Sequence, residues 1–261
     1  MASKVALITG GASGMGLEVA RSLSSEGWRL SILDMNQESG EKVAKSLDAK
    51  FYKVNVTNYD ELADAFEATW QEHGRLDFVF ANAGIAGDES FYSHPELDSK
   101  GRPKKPNLLV TAINIDGVIS TCWLAQHYFR MNKKPLGGVI VITASCGGIY
   151  PVPISPIYGA SKHAMVGFMR SIAPRMIKDS IRVNCICPGT VRTGLLSKEG
   201  WETYPNEAFT PIEKVVEVVN LFVEDETLYG KAAEIIKNKH YWQDAPPYSD
   251  EWMALTMKAC D

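Results

Sequence analysis

Tyr158 and Lys162 stand four residues apart in the stretch SPIYGASKHAMVG, residues 155–167. On a helix that spacing puts two side chains on one face, with about 5–6 Å between Cβ atoms. An ammonium held so close favours a phenolate and draws the tyrosine pKa down from about 10. Such a pair can pass a proton to or from an alcohol oxygen. A tyrosine at the mouth of a helix can equally be a packed aromatic, so the other chemistry-bearing residues must decide. Ser145 lies 13 residues before Tyr158, where a hydroxyl could fix an oxygen that gains negative charge. Asn114 lies in the apolar stretch AINIDG.

A second kind of chemistry is written near the start. VALITGGASGMGLEVA (5–20) carries Gly10, Gly11, Gly14 and Gly16, with Ser13 and Met15 between them. A turn without Cβ atoms lets backbone approach a pyrophosphate, and a helix opening there presents unpaired N–H groups and a partial positive charge. Asp34 ends the next apolar run, 18 residues past Gly16, where a carboxylate can accept both ribose hydroxyls of an adenosine. The same carboxylate repels a 2′-phosphate. Met35 and Asn36 follow it and Ser13 is neutral, so the residues predict NAD in preference to NADP.

These groups need a scaffold. Apolar runs at 4–9, 28–34, 50–56, 76–82, 138–145, 181–187 and 231–237 read as seven strands. Helical periodicity fills 15–26, 37–47, 58–73, 107–131, 157–178 and 211–223. Thr57 and the NYDE after it supply helix-start chemistry, and Gly27 and Gly74 stand where helices should stop. Apolar strands separated by crossover helices predict an α/β, Rossmann-type, doubly wound parallel sheet in a single domain over 1–261. Three segments break the alternation: 85–106, 188–210, and the aromatic tail 238–261. The first two are expected to be substrate loops.

Composition narrows the function classes. The chain has 261 residues, 45% hydrophobic, with formal net charge −4 and a pI near 5.8. That balance argues against a nucleic-acid partner or an anionic membrane surface. No uninterrupted run of about 18 apolar residues occurs and no basic-then-apolar leader opens the sequence. The five scattered cysteines (Cys122, Cys146, Cys185, Cys187, Cys260) suggest free thiols in a reducing, cytoplasmic setting. Cys185 and Cys187 share one face of a strand, which reads as buried sheet; no metal is expected.

The motifs TGGASGMG (9–16), ANAG (81–84), Asn114, Ser145, YGASK (158–162) and CPGTVRT (187–193) resemble, in order and spacing, the short-chain dehydrogenase/reductase family over about residues 4–237. The resemblance implies an NAD(P)-dependent oxidoreductase acting on CH–OH groups. It makes Tyr158 the acid–base group and Lys162 the residue that holds the nicotinamide ribose and lowers the phenol pKa. Ser145 would bond the substrate oxygen, and the backbone carbonyl of Asn114 would anchor a proton-relaying water. By the same resemblance Asn82, Ala83 and Gly84 pass the adenosine ribose, and Asn55 and Val56 line the adenine. Pro188, Gly189, Val191 and Thr193 belong to the nicotinamide segment, the last two holding the carboxamide. Two departures stand out. Asn55 replaces a common aspartate, so an amide oxygen would meet the adenine amino group. Ala81 replaces the first asparagine of the usual NNAG, removing a side chain that supports the sheet.

Within the family, 33–40, 158–171 and 183–193 most resemble NAD-dependent 15-hydroxyprostaglandin dehydrogenases, while the 85–106 loop resembles fungal relatives, alcohol dehydrogenases of secondary metabolism among them. Tyr150, Val152, Ile154, Leu195, Leu196 and Trp201 are mostly apolar, and they either line a substrate site or only pack a loop over the cofactor. The expected substrate is a lipophilic secondary alcohol or its ketone. Because cells keep NAD mostly oxidised, oxidation is the favoured direction. A ketone reductase using NAD(P)H, a non-redox biosynthetic catalyst and a nucleotide-binding regulator are the alternatives. His163 is expected to face outward or toward another subunit. Helices 107–131 and 157–178 are the family's usual dimer faces, implying a homodimer or homotetramer.

Overall fold

The computed structural model describes residues 3–87, 90–133 and 136–259. Cys260, and Asp88 and Glu89 of the 85–106 loop, lie outside the described residues. The sheet holds β1 (Val5–Thr9), β2 (Arg29–Asp34), β3 (Lys50–Lys53), β4 (Phe78–Ala81), β5 (Gly138–Thr143), β6 (Ile181–Pro188), β7 (Ala232–Ile236) and β8 (Lys239–Trp242). Their order is β3-β2-β1-β4-β5-β6-β7-β8. All neighbours are parallel except β7 and β8, which pair antiparallel.

The seven expected strands are therefore present, and an eighth joins them. Lys237 takes a left-handed φ of 52°, and the chain folds back so that Lys239 pairs with Ile236. The alternating KHYW is too short to separate from tail by periodicity. The tail then ends in a helix, Glu251–Lys258.

Helices cover both faces. Gly14–Ser25, Gln37–Leu47 and Ile212–Glu224 pack one core with Ile8, Ile32, Phe80 and Phe222. Tyr59–His73, Leu109–Met131 and Pro156–Met176 pack the other with Leu7, Phe66, Phe129 and Met169. The strands are buried on both sides because crossover helices flank them, which is why they read as unbroken apolar runs. Leu109–Met131 is long and apolar enough to span a bilayer, yet half of its most apolar window is buried inside the fold.

Helix ends follow local chemistry. Gly74 caps its helix in the left-handed region, with φ 65°. The start of that helix differs from expectation. Asn58, not Thr57, is the N-cap and accepts from Asp60 and Glu61 N–H groups. Thr57 is drawn back instead, its N–H and hydroxyl both donating to Asn55 Oδ1.

Candidate active site

The C-terminal ends of β1, β2, β4, β5 and β6 open at one edge of the sheet, where an open α/β sheet binds ligands. Gly10 has φ 64° and Gly14 φ 52°, conformations glycine adopts without strain. At Gly16 the helix comes so near that a Cβ would stand 2.2 Å from the Gly10 carbonyl oxygen. The helix behind the turn has no acidic residue in its first turn, and Ser13 makes no side-chain cap. Its leading N–H groups are thus free to meet an anion.

Asp34 closes the same crevice. Its Oδ2 accepts from Ala12 N at 3.1 Å and its Oδ1 from Asn36 N at 2.9 Å, which leaves one lone pair on each oxygen for hydroxyls. The β2–β3 register sets Lys53 opposite Asp34. Strand pairing thus sets a lysine, 19 residues away in sequence, at the register position opposite Asp34. A turn built for pyrophosphate and a carboxylate for ribose fit a nicotinamide adenine dinucleotide: Gly10, Ser13, Gly14, Met15, Gly16 and Asp34 would hold it.

The next strand end is stitched to this turn. Thr9 Oγ1 accepts from the N–H groups of Asn82 and Ala83, at 3.0 and 3.1 Å. Asn82 Nδ2 donates to the Thr9 and Gly10 carbonyls, and Asn82 Oδ1 accepts from Thr143 Oγ1 at 3.1 Å. Asn82 is a brace across β1, β4 and β5, so Ala81 beside it leaves the sheet end supported. Asn55 does not offer its amide oxygen outward: both lone pairs are used by Thr57. Val56 packs beneath Gly117, where a Cβ would come within 2.8 Å of it.

Lys162 is buried and donates to the Thr143 carbonyl at 2.9 Å. Its Nζ lies 5.7 Å from the centroid of the Tyr158 ring. Removal from water disfavours the ammonium and lowers its pKa to about 8. Burial also pushes the Tyr158 phenol above its ordinary value, partly offset by a hydrogen bond with Ser145, with Cys146 and Tyr204 adding to the rise. The expected lowering of the phenol by Lys162 is thus absent: the amine sits by the ring and spends a proton on Thr143. Desolvation is the leading cause of both shifts.

Ser145 ends β5's extension and accepts from Gly147 N at 3.1 Å. A Cβ on Gly147 would fall 3.5 Å from Ser145 Oγ and 3.6 Å from Tyr158 Cε1. The tight contact is with Val152 Cγ2, at 2.6 Å, so it is Val152 that leaves no room for a side chain beside Ser145 and the Tyr158 ring. Likewise a Cβ on Gly84 would meet Asn114 Oδ1 at 3.2 Å and Lys162 Nζ at 3.5 Å. Asn114 is fully buried in a π-helical stretch, Ala112–Gly117. Its side chain accepts from Ile85 N at 2.9 Å and donates to Ile85 O at 3.0 Å and Ser161 Oγ at 3.2 Å. With the side chain so engaged, its widened backbone is the part able to serve a proton relay, and π turns recur at such sites.

The 188–210 segment folds over the glycine turn. Gly189 N donates to Ile235 O at 2.8 Å, directly after Pro188. Val191 is buried, and Thr193 touches the space where a Gly14 Cβ would be, 3.1 Å away. Trp201 Nε1 donates to the Thr193 carbonyl at 2.9 Å and its ring packs on Tyr204 and Phe209. Of the apolar lining residues expected, Val152 packs against Gly147 and Gly159. Tyr150 instead turns its hydroxyl to Glu234, at 3.1 Å. His163 faces outward, with a ring nitrogen 2.9 Å from the Gly159 carbonyl. Thr9, Thr143, Ser161, Gly147 and Tyr204 were missed in the sequence. Each acts through tertiary contact, and only the glycine pair of SCGG (145–148) hints at a close approach.

A family model for short chain dehydrogenases matches residues 4–202. Short-chain dehydrogenase/reductase prx7 of Penicillium rubens is 41% identical over 269 residues, covering 94% of this chain and 95% of that protein. The NAD(+) 15-hydroxyprostaglandin dehydrogenase of Macaca fascicularis is 28% identical over 272 residues, covering 94% and 96%. A solved structure of 3-ketoacyl-(acyl-carrier-protein) reductase from Brucella melitensis, complexed with NADH, superposes with TM-score 0.78 at 24% identity. It covers 90% of this chain and 97% of its own.

Proposed function

The chain belongs to the short-chain dehydrogenase family and is an oxidoreductase acting on CH–OH groups, and from that premise we propose that it oxidises a secondary alcohol of a lipophilic small molecule to the ketone, using NAD. The observation that carries the reading is the convergence of Ser145, Tyr158, Lys162 and Asn114 on two side-chain-free backbone positions, Gly84 and Gly147, beside the glycine turn. Ser145 and Tyr158 hold the carbinol oxygen between their hydroxyls. Tyr158 takes its proton, and Lys162 and the Asn114 backbone pass that proton toward solvent. The bound nicotinamide nucleotide supplies the hydride acceptor. Ala83, Gly84, Asn82, Val56 and Asn55 flank the adenosine, with Asn55 and Asn82 acting through the backbone they shape. Met35 covers the adenine, and Pro188, Gly189, Val191 and Thr193 hold the nicotinamide end.

A panel of apolar secondary alcohols tests this by NADH formation. Turnover with at least one, and none with primary alcohols of equal size, is expected. Binding of NAD without turnover of any alcohol or ketone would favour a nucleotide-binding regulator.

We read Asp34 as the source of NAD preference, acting against the cation Lys53 at its side. Asp34→Ser is expected to weaken NAD binding about 10- to 100-fold, in line with the roughly 1.5–3 kcal/mol of hydrogen bonds to a charged group. NADP binding should improve in the same variant, since Lys53 then faces the 2′-phosphate unopposed. Equal affinities before and after the substitution, measured by fluorescence titration, would remove Asp34 from the ribose site.

The chain is read as one catalytic unit that works in the cytoplasm, consistent with four free thiols among the described residues. It associates as a homodimer or homotetramer. The support is an apolar groove of about 550 Å³ between Leu109–Met131 and Pro156–Met176, lined by Ile119, Trp123, Phe168 and Ile172, with Trp123 exposed beside it.

A further inference from the structure

Beyond β3 the chain turns at Asn55–Asn58, where Asn58 N donates to the Asn55 carbonyl at 2.8 Å. Asn55 N donates to Glu61 Oε2 at 2.7 Å, and Glu61 Oε1 accepts from Asn58 Nδ2 at 2.8 Å. Asn55 Oδ1 accepts from Thr57 N at 3.1 Å and from Thr57 Oγ1 at 2.9 Å. A backbone N–H can only donate, so the atom that meets it is the amide oxygen, and the orientation of the amide is fixed. Both lone pairs of that oxygen are then used. What the turn has left is donors. Neither Asn55 Nδ2 nor Val56 N has an acceptor among the described residues. Val56 is only 8% exposed, and an N–H so placed takes its partner from solvent or from a ligand.

These donors stand on the side where a purine would lie. With the pyrophosphate at the glycine turn and the ribose at Asp34, the base falls past Asp34, away from the turn. Strand pairing carries the chain there. Val54 N donates to the Asp34 carbonyl at 3.0 Å, one residue beyond the Asp34–Lys53 pair, and Asn55 and Val56 follow. Met35, next to Asp34, is 59% exposed and offers an uncovered apolar side chain to a flat ring. An asparagine amide reads adenine with both of its ends, the oxygen accepting from N6 and the nitrogen donating to N7. Here the oxygen is spent on Thr57. An adenine amino group brought to this turn is a donor facing donors. A 6-oxopurine carries an acceptor at the same position, O6, beside the N7 acceptor.

We propose that Asn55 sets the base selectivity of the nucleotide site, which takes a dinucleotide with hypoxanthine in place of adenine at least as tightly as NAD. This rests on the reading of Asn55 and Val56 as flanking the adenosine, and it adds which edge of the base they bind. Thr57 is the positioning residue: its N–H and hydroxyl hold the amide with the nitrogen outward.

Calorimetry of the full chain with NAD and with nicotinamide hypoxanthine dinucleotide tests this without turnover. The hypoxanthine dinucleotide is expected to bind with a dissociation constant no higher than that of NAD. Asn55→Asp keeps an acceptor for Thr57 and puts a second oxygen where the nitrogen stands. In that variant the ratio of the two constants should move toward NAD by about 5- to 150-fold, the discrimination that a bidentate base contact gives, with the circular dichroism spectrum unchanged. Tighter binding of NAD than of the hypoxanthine dinucleotide by the parent chain overturns the proposal. If Asn55→Asp still moves the ratio in that case, the base lies at Asn55 and the reading of the site stands. A ratio that Asn55→Asp leaves unchanged takes the base away from Asn55 and overturns both, as does a parent chain that binds neither nucleotide.

Discussion

Tyr158→Phe should lower alcohol turnover by about a hundred- to ten-thousand-fold, the range a positioned proton acceptor contributes, while NAD binds as before. The loss should fall on kcat, because the phenol oxygen meets the substrate only at the reacting carbinol. The pH profile gives the sharper form of this prediction. Burial holds Lys162 near a pKa of about 8 and lifts Tyr158 above its ordinary value of 10. Of the two groups the amine therefore loses its proton first, at about 8. The singly protonated pair includes the tautomer with an ammonium beside a phenolate, which is the form that accepts the carbinol proton. Alcohol oxidation should therefore rise tenfold per pH unit up to about 8 and level off above it. Ketone reduction, which needs the fully protonated pair, should fall above about 8.

Lys162→Met removes the first step and should move the rise beyond pH 10. Stability runs in the same pH direction as oxidation, because both are favoured by the neutral amine. A lysine whose folded pKa is depressed contributes its stability in full above its unfolded value of 10.5, and that contribution is lost progressively as pH falls from there to about 8. At pH 7 the buried ammonium is a cost, so Lys162→Met should melt no lower than the parent chain while losing activity. A flat oxidation profile between pH 6 and 10 would remove the pair from the mechanism, as would an unchanged profile in Lys162→Met.

Gly16→Val should abolish measurable NAD binding, weakening it at least about a hundredfold, with the fold retained. A Cβ at this position would stand 2.2 Å from the Gly10 carbonyl oxygen and 2.7 Å from Asn82 Nδ2. The first contact is backbone, which cannot swing aside as a flexible side chain can. The helix must draw back from the turn, carrying its N–H groups away from the phosphates they would meet. Asn82 must also shift, and with it the brace to Thr9 and Thr143. Gly167→Ala, on an exposed helix face with open space beside it, is the control that should bind NAD normally. Calorimetry of both variants checks the contrast. Equal binding by Gly16→Val and the parent would mean that the turn does not hold the pyrophosphate.

What residue order alone determined here follows from periodicity and from special chemistry. The central strands were legible because β1, β4, β5 and β6 are buried on both faces, and a doubly covered strand has no polar phase to confuse the count; β3, KFYK with exposed ends, was legible from its place in the alternation. Gly10, Gly14 and Gly16 were legible because a positive φ or a close approach leaves glycine as the unstrained choice. Tyr158 and Lys162 were legible because helical spacing by itself makes them neighbours. Everything that depends on what arrives from another strand or helix was not. The lowered pKa of Lys162 and the raised pKa of Tyr158 come from burial under neighbouring elements, a quantity that local spacing does not contain. Lys53 stands opposite Asp34 through strand register, and Asn82 became a brace because β1 and β5 stand on either side of β4. The eighth strand and the terminal helix were hidden because each is too short to carry a period. The eighth strand's place is decided by the open edge of β7, which only the assembled sheet presents.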